Sequence, residues 1–442
     1  MKNFNAISLF SSSGIGDIAL KRLGIHTIVA NELIEDRASL FKRNFSNSCM
    51  IQGSVYDKKE EIIENTLIRL NGTTLDYALV TPPCQGMSKN GRGKLLSEIN
   101  AGRRPKVDPR NLLILPALEI LNKLQPNTIV FENVSEMINT SIPYNEDIMN
   151  IIDIIKITLK NYFVETQIIE FADYGIPQRR RRLITIATKD ANLQNYVKNF
   201  GSLFPQKTHS KDGLNGLKKW ISIKDVIGKL EKLDAKYKLN SLKDPLHRVS
   251  KLDDQKYFWI SNTPKNKSAF NNQCVECGFK DNELHTSKRS RKGVNRASKD
   301  TPISCQRCGA NLPRPTVYRD GQRKLMSGFT SAYKRMNWDL PAPAITRNFP
   351  YVCSDNKVHP EQNRTLSIRE ACLLHTIYDG DFIFEYENKK SAKLTTIRDT
   401  LGESIPPRVL EIFLRHLQNI TAQKYATKQN FRQHSLIFSQ PV

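Results

Sequence analysis

The stretch Thr81-Pro82-Pro83-Cys84-Gln85-Gly86-Met87-Ser88 follows an apolar run, Tyr77 to Val80, and sets one cysteine behind two prolines. Proline lacks an amide hydrogen and has a fixed φ, so Pro82-Pro83 ends strand pairing and leaves Cys84 beyond the strand's carboxyl end. Open α/β sheets bind ligands in the crevice at that edge. A lone cysteine after a turn reads as buried and inert, but two further stretches give Cys84 company. Asn127 to Phe131 is a second short apolar strand, and it delivers Glu132-Asn133-Val134 to the same edge if the two strands are parallel neighbours. Further on, Ala172 to Gln178 runs into Arg179-Arg180-Arg181-Arg182 and then the apolar strand Leu183 to Ala187. Side chains alternate along a strand, so Arg180 and Arg182 share one face while Arg179 and Arg181 point elsewhere.

In that order, PPCQG, ENV and QRRRR resemble the motifs of the cytosine-5 DNA methyltransferase family of the bacterial modification type. The opening Ile7 to Gly16 (ISLFSSSGIG) is similar to the family's first motif, and Val29-Ala30-Asn31-Glu32 ends the second strand with an acid. Asp108-Pro109-Arg110-Asn111-Leu112-Leu113 starts a helix as the fifth motif does. Arg364 to Glu370 and Gly402-Glu403-Ser404-Ile405-Pro406-Pro407 look like the ninth and tenth. The resemblance covers roughly residues 4 to 190 and 361 to 420. Chance agreement across so many ordered motifs is remote.

Composition agrees. A chain of 442 residues with 39% hydrophobic content holds two domains with real cores. The 67 Lys plus Arg against 44 Asp plus Glu give a net charge of +23, which favours a polyanionic partner through counterion release. No long apolar segment is present, and Met1 to Leu20 carries Asn, Ser and Asp where a signal peptide needs an apolar core. Eight cysteines in a chain read as cytoplasmic point to thiol or metal roles rather than a disulfide framework.

Residues 1 to about 190 alternate short strands with amphipathic helices (Gly14 to Leu23, Asp36 to Asn44, Asp57 to Leu70, Asn111 to Leu124), the pattern of a doubly wound α/β fold. The expected architecture is thus a Rossmann-like, S-adenosylmethionine-dependent methyltransferase domain over 1–190. By resemblance, 191–360 is a smaller, irregular target-recognition domain, and 361–442 returns to the catalytic sheet. Asn90 to Lys106 is too rich in Gly, Lys and Arg to pack, and reads as a loop able to close over a duplex. Within the middle region, Phe329 to Phe349, with Tyr333, Trp338 and Pro341-Ala342-Pro343, is expected as core.

A small-residue turn between strand and helix lets a ligand approach the backbone, and an acid ending the next strand accepts both ribose hydroxyls. Glu32 fits that role, for a nicotinamide cofactor as well as for the one the family uses. The resemblance implies S-adenosylmethionine, with Phe10 against the adenine and Ser12, Gly14, Gly16, Ser54, Pro83, Leu113, Glu403 and Ser404 around it. Three departures stand out: Ser12 replaces a usual glycine, Gly53-Ser54-Val55 lacks a common acid, and Glu403 replaces a common asparagine. The resemblance further implies that Cys84 adds to carbon 6 of cytosine. Glu132 then serves as the acid at ring nitrogen 3, and Arg180 and Arg182 orient the carboxyl group and the ring oxygen. Carbon 6 is hidden in a stacked duplex, so the target must be flipped out.

Cys274-x-x-Cys277-Gly278 and Cys305-x-x-Cys308-Gly309 resemble two zinc knuckles, which together supply four thiolates for a structural zinc in an insert of about 270–312. A redox dithiol is the competing reading. Between the knuckles, Lys288-Arg289-Ser290-Arg291-Lys292 suits phosphate contact or a solvated loop. Cys49, Cys353 and Cys372 read as structural. The expected partner is double-stranded DNA, met by a monomer away from membranes, with a companion restriction endonuclease acting separately. Two other functions compete: an RNA (tRNA) cytosine-5 methyltransferase, whose recognition insert is usually shorter, and a DNA-binding protein of this fold without catalysis.

Overall fold

The computed structural model describes residues 4–83, 108–289 and 295–422. Cys84, the Asn90 to Lys106 stretch, positions 290–292 of the basic run and everything after 422 lie outside the described residues. Seven strands form the main sheet: β1 (Phe4–Leu9), β2 (Ile25–Glu32), β3 (Cys49–Gln52), β4 (Tyr77–Val80), β5 (Thr128–Val134), β6 (Phe163–Glu170) and β7 (Arg181–Thr188). Their spatial order is β3-β2-β1-β4-β5-β7-β6. The first five pair in parallel, as the two apolar runs required, and β7 lies antiparallel between β5 and β6.

Every residue of β4 and β5 is buried, as expected for central strands covered on both faces. Alternation decides which side each residue serves. Ile7, Leu9, Ala78, Val80, Ile129 and Phe131 pack against α3 (Lys59–Leu70), α4 (Ile114–Leu124) and α5 (Ile151–Thr158). Ala6, Leu79, Val130, Ile184 and Ile186 face α1 (Asp17–Arg22), α6 (Ala191–Phe200) and the distant α11 (Pro407–Ala422). Between α1 and α3, α2 (Glu35–Asn44) packs beside β2 and β3.

Three helix starts come later than the sequence pattern suggested, that of α3 by two residues, at Lys59 rather than Asp57. Gly14 takes φ +87°, a left-handed turn, so α1 begins at Asp17. Asp108 caps a 3-10 turn over Pro109–Leu113, and the α-helix starts only at Ile114.

From 201 to 366 regular structure is sparse: α7 (Ile223–Ile227), α8 (Asp254–Ser261) and short ladders. Trp259, Ile260, Phe270, Tyr333, Val352 and Val358 make a small separate core. Phe349 and Ala342 are buried as expected, whereas Phe329 is 61% exposed and does not join the core. Cys353 is also exposed, so it has no packing role, while burial pushes the Cys372 thiol up to about 12. The chain then forms α9 (Ile368–Leu374), α10 (Leu394–Glu403) and α11. Ser367 and Glu370 close a capping box at the start of α9, and Glu370 also takes both arms of Arg364 at 2.6 and 2.8 Å. Among the described residues no helix is long and apolar enough to cross a membrane.

Candidate active site

Because β1, β2, β4 and β5 are parallel, their carboxyl ends open on one edge, and the strand order reverses between β1 and β4 at that edge. The crevice of an open α/β sheet lies at such a reversal. After β1 the backbone is tightly wound: Phe10, Ser12 and Gly14 take φ of 59°, 51° and 87°. Glu32 holds this loop. Its Oε2 accepts the Ser12 amide and its Oε1 the Ile34 amide, both at 2.9 Å. Burial raises the Glu32 carboxyl above the usual range, opposed by the Ile34 amide and the Arg37 charge.

The left-handed turn at Ser12 explains why glycine is usual there, and a non-glycine residue in it costs about 1 kcal/mol. The Ser12 hydroxyl oxygen is buried without a hydrogen-bond partner among the described residues. A Cβ on Gly14 would sit 2.4 Å from the Phe45 ring, which fixes glycine by packing as well as by φ. At Gly16 the fit is looser, a Cβ there lying 3.2 Å from Leu79.

Asn31 donates to the Ile51 and Gly53 carbonyls, and the Gly53 amide donates to the Glu32 carbonyl, which sets Ser54 beside the acid. Leu113 ends the 3-10 turn, which Tyr56 reaches by donating its hydroxyl to the Leu112 carbonyl. Leu33, Ile34 and Tyr56 are 60%, 44% and 50% exposed, an apolar rim next to Glu32 that suits a flat ring. These three were missed in the sequence; the signal was two apolar residues directly after an acid-ended strand.

Thr81 joins this loop to the next strand end, donating its amide to Leu9 (3.2 Å) and its hydroxyl to Phe10 (3.0 Å). On the other side, the Asn133 side-chain amide donates to the Pro82 carbonyl at 3.0 Å. Pro82-Pro83 is therefore tied to the cofactor-loop side and to the strand of Glu132 at once. Asn133 was quoted in the sequence only as part of a tripeptide, and its buried bond assigns it this tethering.

Glu132 is 7% exposed, and Arg182 Nε approaches its Oε1 at 2.9 Å, an off-axis ion pair rather than an aligned hydrogen bond. Arg180 is placed differently. It lies between β7 and a two-residue strand at Gln178–Arg179, and its Nη1 donates to the carbonyls of Ile345 (2.9 Å) and Gly402 (3.4 Å). Gln178, fully buried, accepts the Ile345 amide and reaches His375 Nδ1 at 3.2 Å, and His375 Nε2 meets the Ser404 hydroxyl at 3.1 Å. Burial first, and then the Arg180 charge, hold the His375 imidazole neutral. A Cβ on Gly402 would stand 2.0 Å from the Arg347 amide, so glycine permits this close crossing. Glu403 pairs with Arg37 at 2.9 Å and Arg347 at 3.8 Å. The cofactor loop itself touches the C-terminal segment where Ser13 meets Thr400 at 2.7 Å.

Away from this edge, the thiols of Cys274, Cys277, Cys305 and Cys308 lie within 4.8 Å of one another. Neighbouring sulfurs are 3.6 to 3.7 Å apart. A tetrahedral zinc with Zn–S bonds of about 2.3 Å requires about 3.8 Å between sulfurs, so the set fits. The two halves match: Gly278 and Gly309 take φ of 70° and 73°, and the Cys274 and Cys305 amides donate to Phe279 and Ala310 carbonyls.

A sheet of this order with a glycine-bearing loop and an acid-ended second strand defines a protein that binds a nucleoside-bearing cofactor at this edge. Residues 4–419 match the C-5 cytosine-specific DNA methylase family, and the chain belongs to it. Among curated relatives, the type II methyltransferase M1.HgaI of Avibacterium volantium is 29% identical over 95% of this chain and 99% of its own. The type II methyltransferase M1.HphI of Haemophilus parahaemolyticus is 24% identical over 91% and 83%. A crystal structure from an E. coli prophage, described as a candidate DNA modification methyltransferase, shares the fold with a TM-score of 0.53 at 20% identity over 95% and 100% of the two chains. The Entamoeba histolytica methyltransferase EhMeth gives 0.51 at 15% identity over 95% and 99%. The protein is a DNA (cytosine-5)-methyltransferase.

Proposed function

We propose that Cys84 is the covalent nucleophile of this enzyme and that Glu132 is its acid. The observation that carries the reading is the double tether of Pro82-Pro83, through Thr81 to Phe10 and through Asn133 beside Glu132. Both tethers therefore end within Thr81-Pro82-Pro83, the stretch that precedes Cys84 in the chain, one from the cofactor loop and one from the strand of Glu132. S-adenosylmethionine, when bound, supplies the electrophilic methyl group. Glu32 accepts its ribose hydroxyls, the Ser12 hydroxyl gains the partner it lacks, and Phe10, Gly14, Gly16, Ser54, Pro83 and Leu113 shape the pocket. Addition of the Cys84 thiolate to carbon 6 puts charge on ring nitrogen 3, which the Glu132 carboxyl group meets as the acid. Carbon 5 then carries the nucleophilic electron pair. Arg182 holds the Glu132 carboxyl group, and Arg180 positions the strand and the Ile345 backbone. Glu403 and Ser404 contribute through Arg37 and His375.

In the same reading residues 1–190 are catalytic, 191–360 recognise the target, and 361–442 complete the catalytic sheet. Zinc on the four cysteines braces the recognition part, since a closed four-thiolate set leaves no position for a catalytic water. The relatives' type II designation supports a modification enzyme whose methylation shields DNA from a companion endonuclease, and we take it to act as a monomer in the cytoplasm. Duplex DNA bearing 5-fluorocytosine at the target tests the chemistry: the wild type forms a stable adduct and Cys84→Ser does not. An adduct with Cys84→Ser would remove Cys84 from the mechanism.

A further inference from the structure

The four-arginine run places two side chains, Arg180 and Arg182, in the buried machinery and leaves Arg179 and Arg181 exposed. Arg182 pairs in register with Val134, and Arg181 with Glu170, the last residue of β6. The run therefore begins at the same edge as Glu132. Arg179 lies three residues before Arg182, and an extended chain carries it about 10 Å outward beyond that edge. Its guanidinium is not loose. It sits 5.4 Å over the ring of Trp220 while its side chain stays 55% exposed, and its nearest carboxylate, Glu170, is 3.9 Å away.

Trp220 is itself fixed. Its indole N–H donates to Asp173 Oδ1 at 3.0 Å, and its amide donates to Ser210. Asp173 Oδ2 also takes Lys207 at 2.8 Å, and the Asp173 carbonyl accepts the Thr208 amide. The segment 207–220 is thus strapped to the turn after β6, with His209–Ser210 paired to Lys218–Lys219. Lys207, Lys211, Lys218 and Lys219 are exposed on it, against Asp173, already used twice, and Asp212. An aromatic shelf beneath a guanidinium, with cations beside it and its one paired carboxylate no nearer than 3.9 Å, is suited to a phosphate diester.

We propose that Arg179, held on Trp220, heads a phosphate-binding track that continues along Lys218 and Lys219. It grips the DNA backbone about three base-pair steps, ~10 Å at 3.4 Å each, from the flipped cytosine. The proposal rests on the reading that the duplex lies across the Glu132 edge. Arg179 carries no sequence information and sets the register of the duplex over the pocket.

Salt dependence tests it. Methylation of one duplex is followed from 50 to 200 mM salt for wild type, Arg179→Ala, Trp220→Leu, Trp220→Phe and Lys123→Ala, the last a surface cation at the opposite edge. One lost phosphate contact lowers the slope of log KM for DNA against log salt by about 1. Arg179→Ala is expected to show that loss and a several-fold higher KM for DNA, with wild-type affinity for S-adenosylmethionine. Trp220→Leu follows it in part, and Trp220→Phe, which keeps a ring under the guanidinium, stays nearer to wild type. Shortening the duplex on the flank under the track should erase the difference between wild type and Arg179→Ala. A wild-type slope in Arg179→Ala, or an equal loss in Lys123→Ala, overturns the proposal. If the wild type itself fails to methylate duplex DNA, the functional reading falls instead.

Discussion

The main sheet and the region from 201 to 366 solve the same problem, satisfying a buried backbone, by different means. In the sheet, parallel neighbours satisfy one another, so β4 and β5 can be apolar throughout. In the middle region there is little ladder, and buried guanidinium groups take its place. Arg335, 4% exposed, donates to the carbonyls of Ile260, Thr263, His359 and Gln362 and to the Asn363 side chain. Arg314, fully buried, donates to Asn272 and Pro302 carbonyls. Burial lowers both guanidinium groups to about 10, and the bonds to backbone oxygens offset that desolvation. An irregular fold of this kind hangs on single side chains, whereas a sheet distributes its stability over many equivalent bonds.

That difference is most sharply tested by Arg335→Met, which strips five acceptors at once. Loss of a buried, multiply bonded charge typically costs 3–5 kcal/mol (about that range is expected here). Hydrogen exchange should rise across 254–363 and stay low in β4 and β5; equal loosening of both regions would break the comparison. Cys305→Ser is the next largest. Zinc content should fall from one per chain to none, specific DNA binding should weaken at least tenfold, and affinity for S-adenosylmethionine should hold in calorimetry. A cofactor affinity that falls together with zinc would mean the two regions are not separable.

Within the sheet, Asp17 supplies a pH test. It is fully buried, accepts from Ser8 (3.1 Å) and Thr27 (2.9 Å), and burial raises its carboxyl from 3.8 to about 6. A raised carboxyl pKa favours the fold below the unfolded value, near pH 4, and that contribution is lost as pH rises through about 6. Relative to Asp17→Asn, the wild type should lose about 2 kcal/mol between pH 4 and 8 in urea titrations. A constant gap would show that the carboxyl stays ionised throughout. The smallest effect concerns the cofactor loop: Ser12→Gly relieves a left-handed serine and should raise stability by about 1 kcal/mol. The same change removes the unmet hydroxyl and should lower affinity for S-adenosylmethionine, so stability and binding move in opposite directions. Parallel movement would deny Ser12 a place at the cofactor.

What could be read from the residues follows the same division. Strand β4 and the core of β5 were visible as apolar runs ended by prolines or by Glu132, because a central strand writes its burial into every position. The cysteine spacing disclosed four converging thiols for the same local reason. The start of α1 was misread by three residues, since a pattern of apolar spacing does not record that Gly14 turns left-handed. Arg335 and Arg314 could not be singled out among 67 basic residues, because their importance depends on carbonyls contributed from 12 to 75 positions away. Phe329 and Cys353 failed for the converse reason: apolar character alone does not say which side of an irregular segment meets a core. Arg180 and Arg182 were read as sharing one face with one joint role, but only the fold distinguishes the one beside Glu132 from the one that holds Ile345.

The helix α11 covers a face of the sheet whose last strand ends at Thr188, yet its first core residue is Val409, 221 positions later (409 minus 188). During synthesis at about 5–20 residues per second, roughly 10 to 45 s pass between the two. Through that interval Leu79, Val130, Ile184 and Ile186 have no final cover, and neither does the loop that Ser13 will fasten to Thr400. The nascent chain thus presents a complete set of strands with one greasy side open to the cell, a surface for holding chaperones to occupy. Ribosome stalling or proteolysis within α11 would leave a chain with every strand of the sheet and one of its faces without that cover.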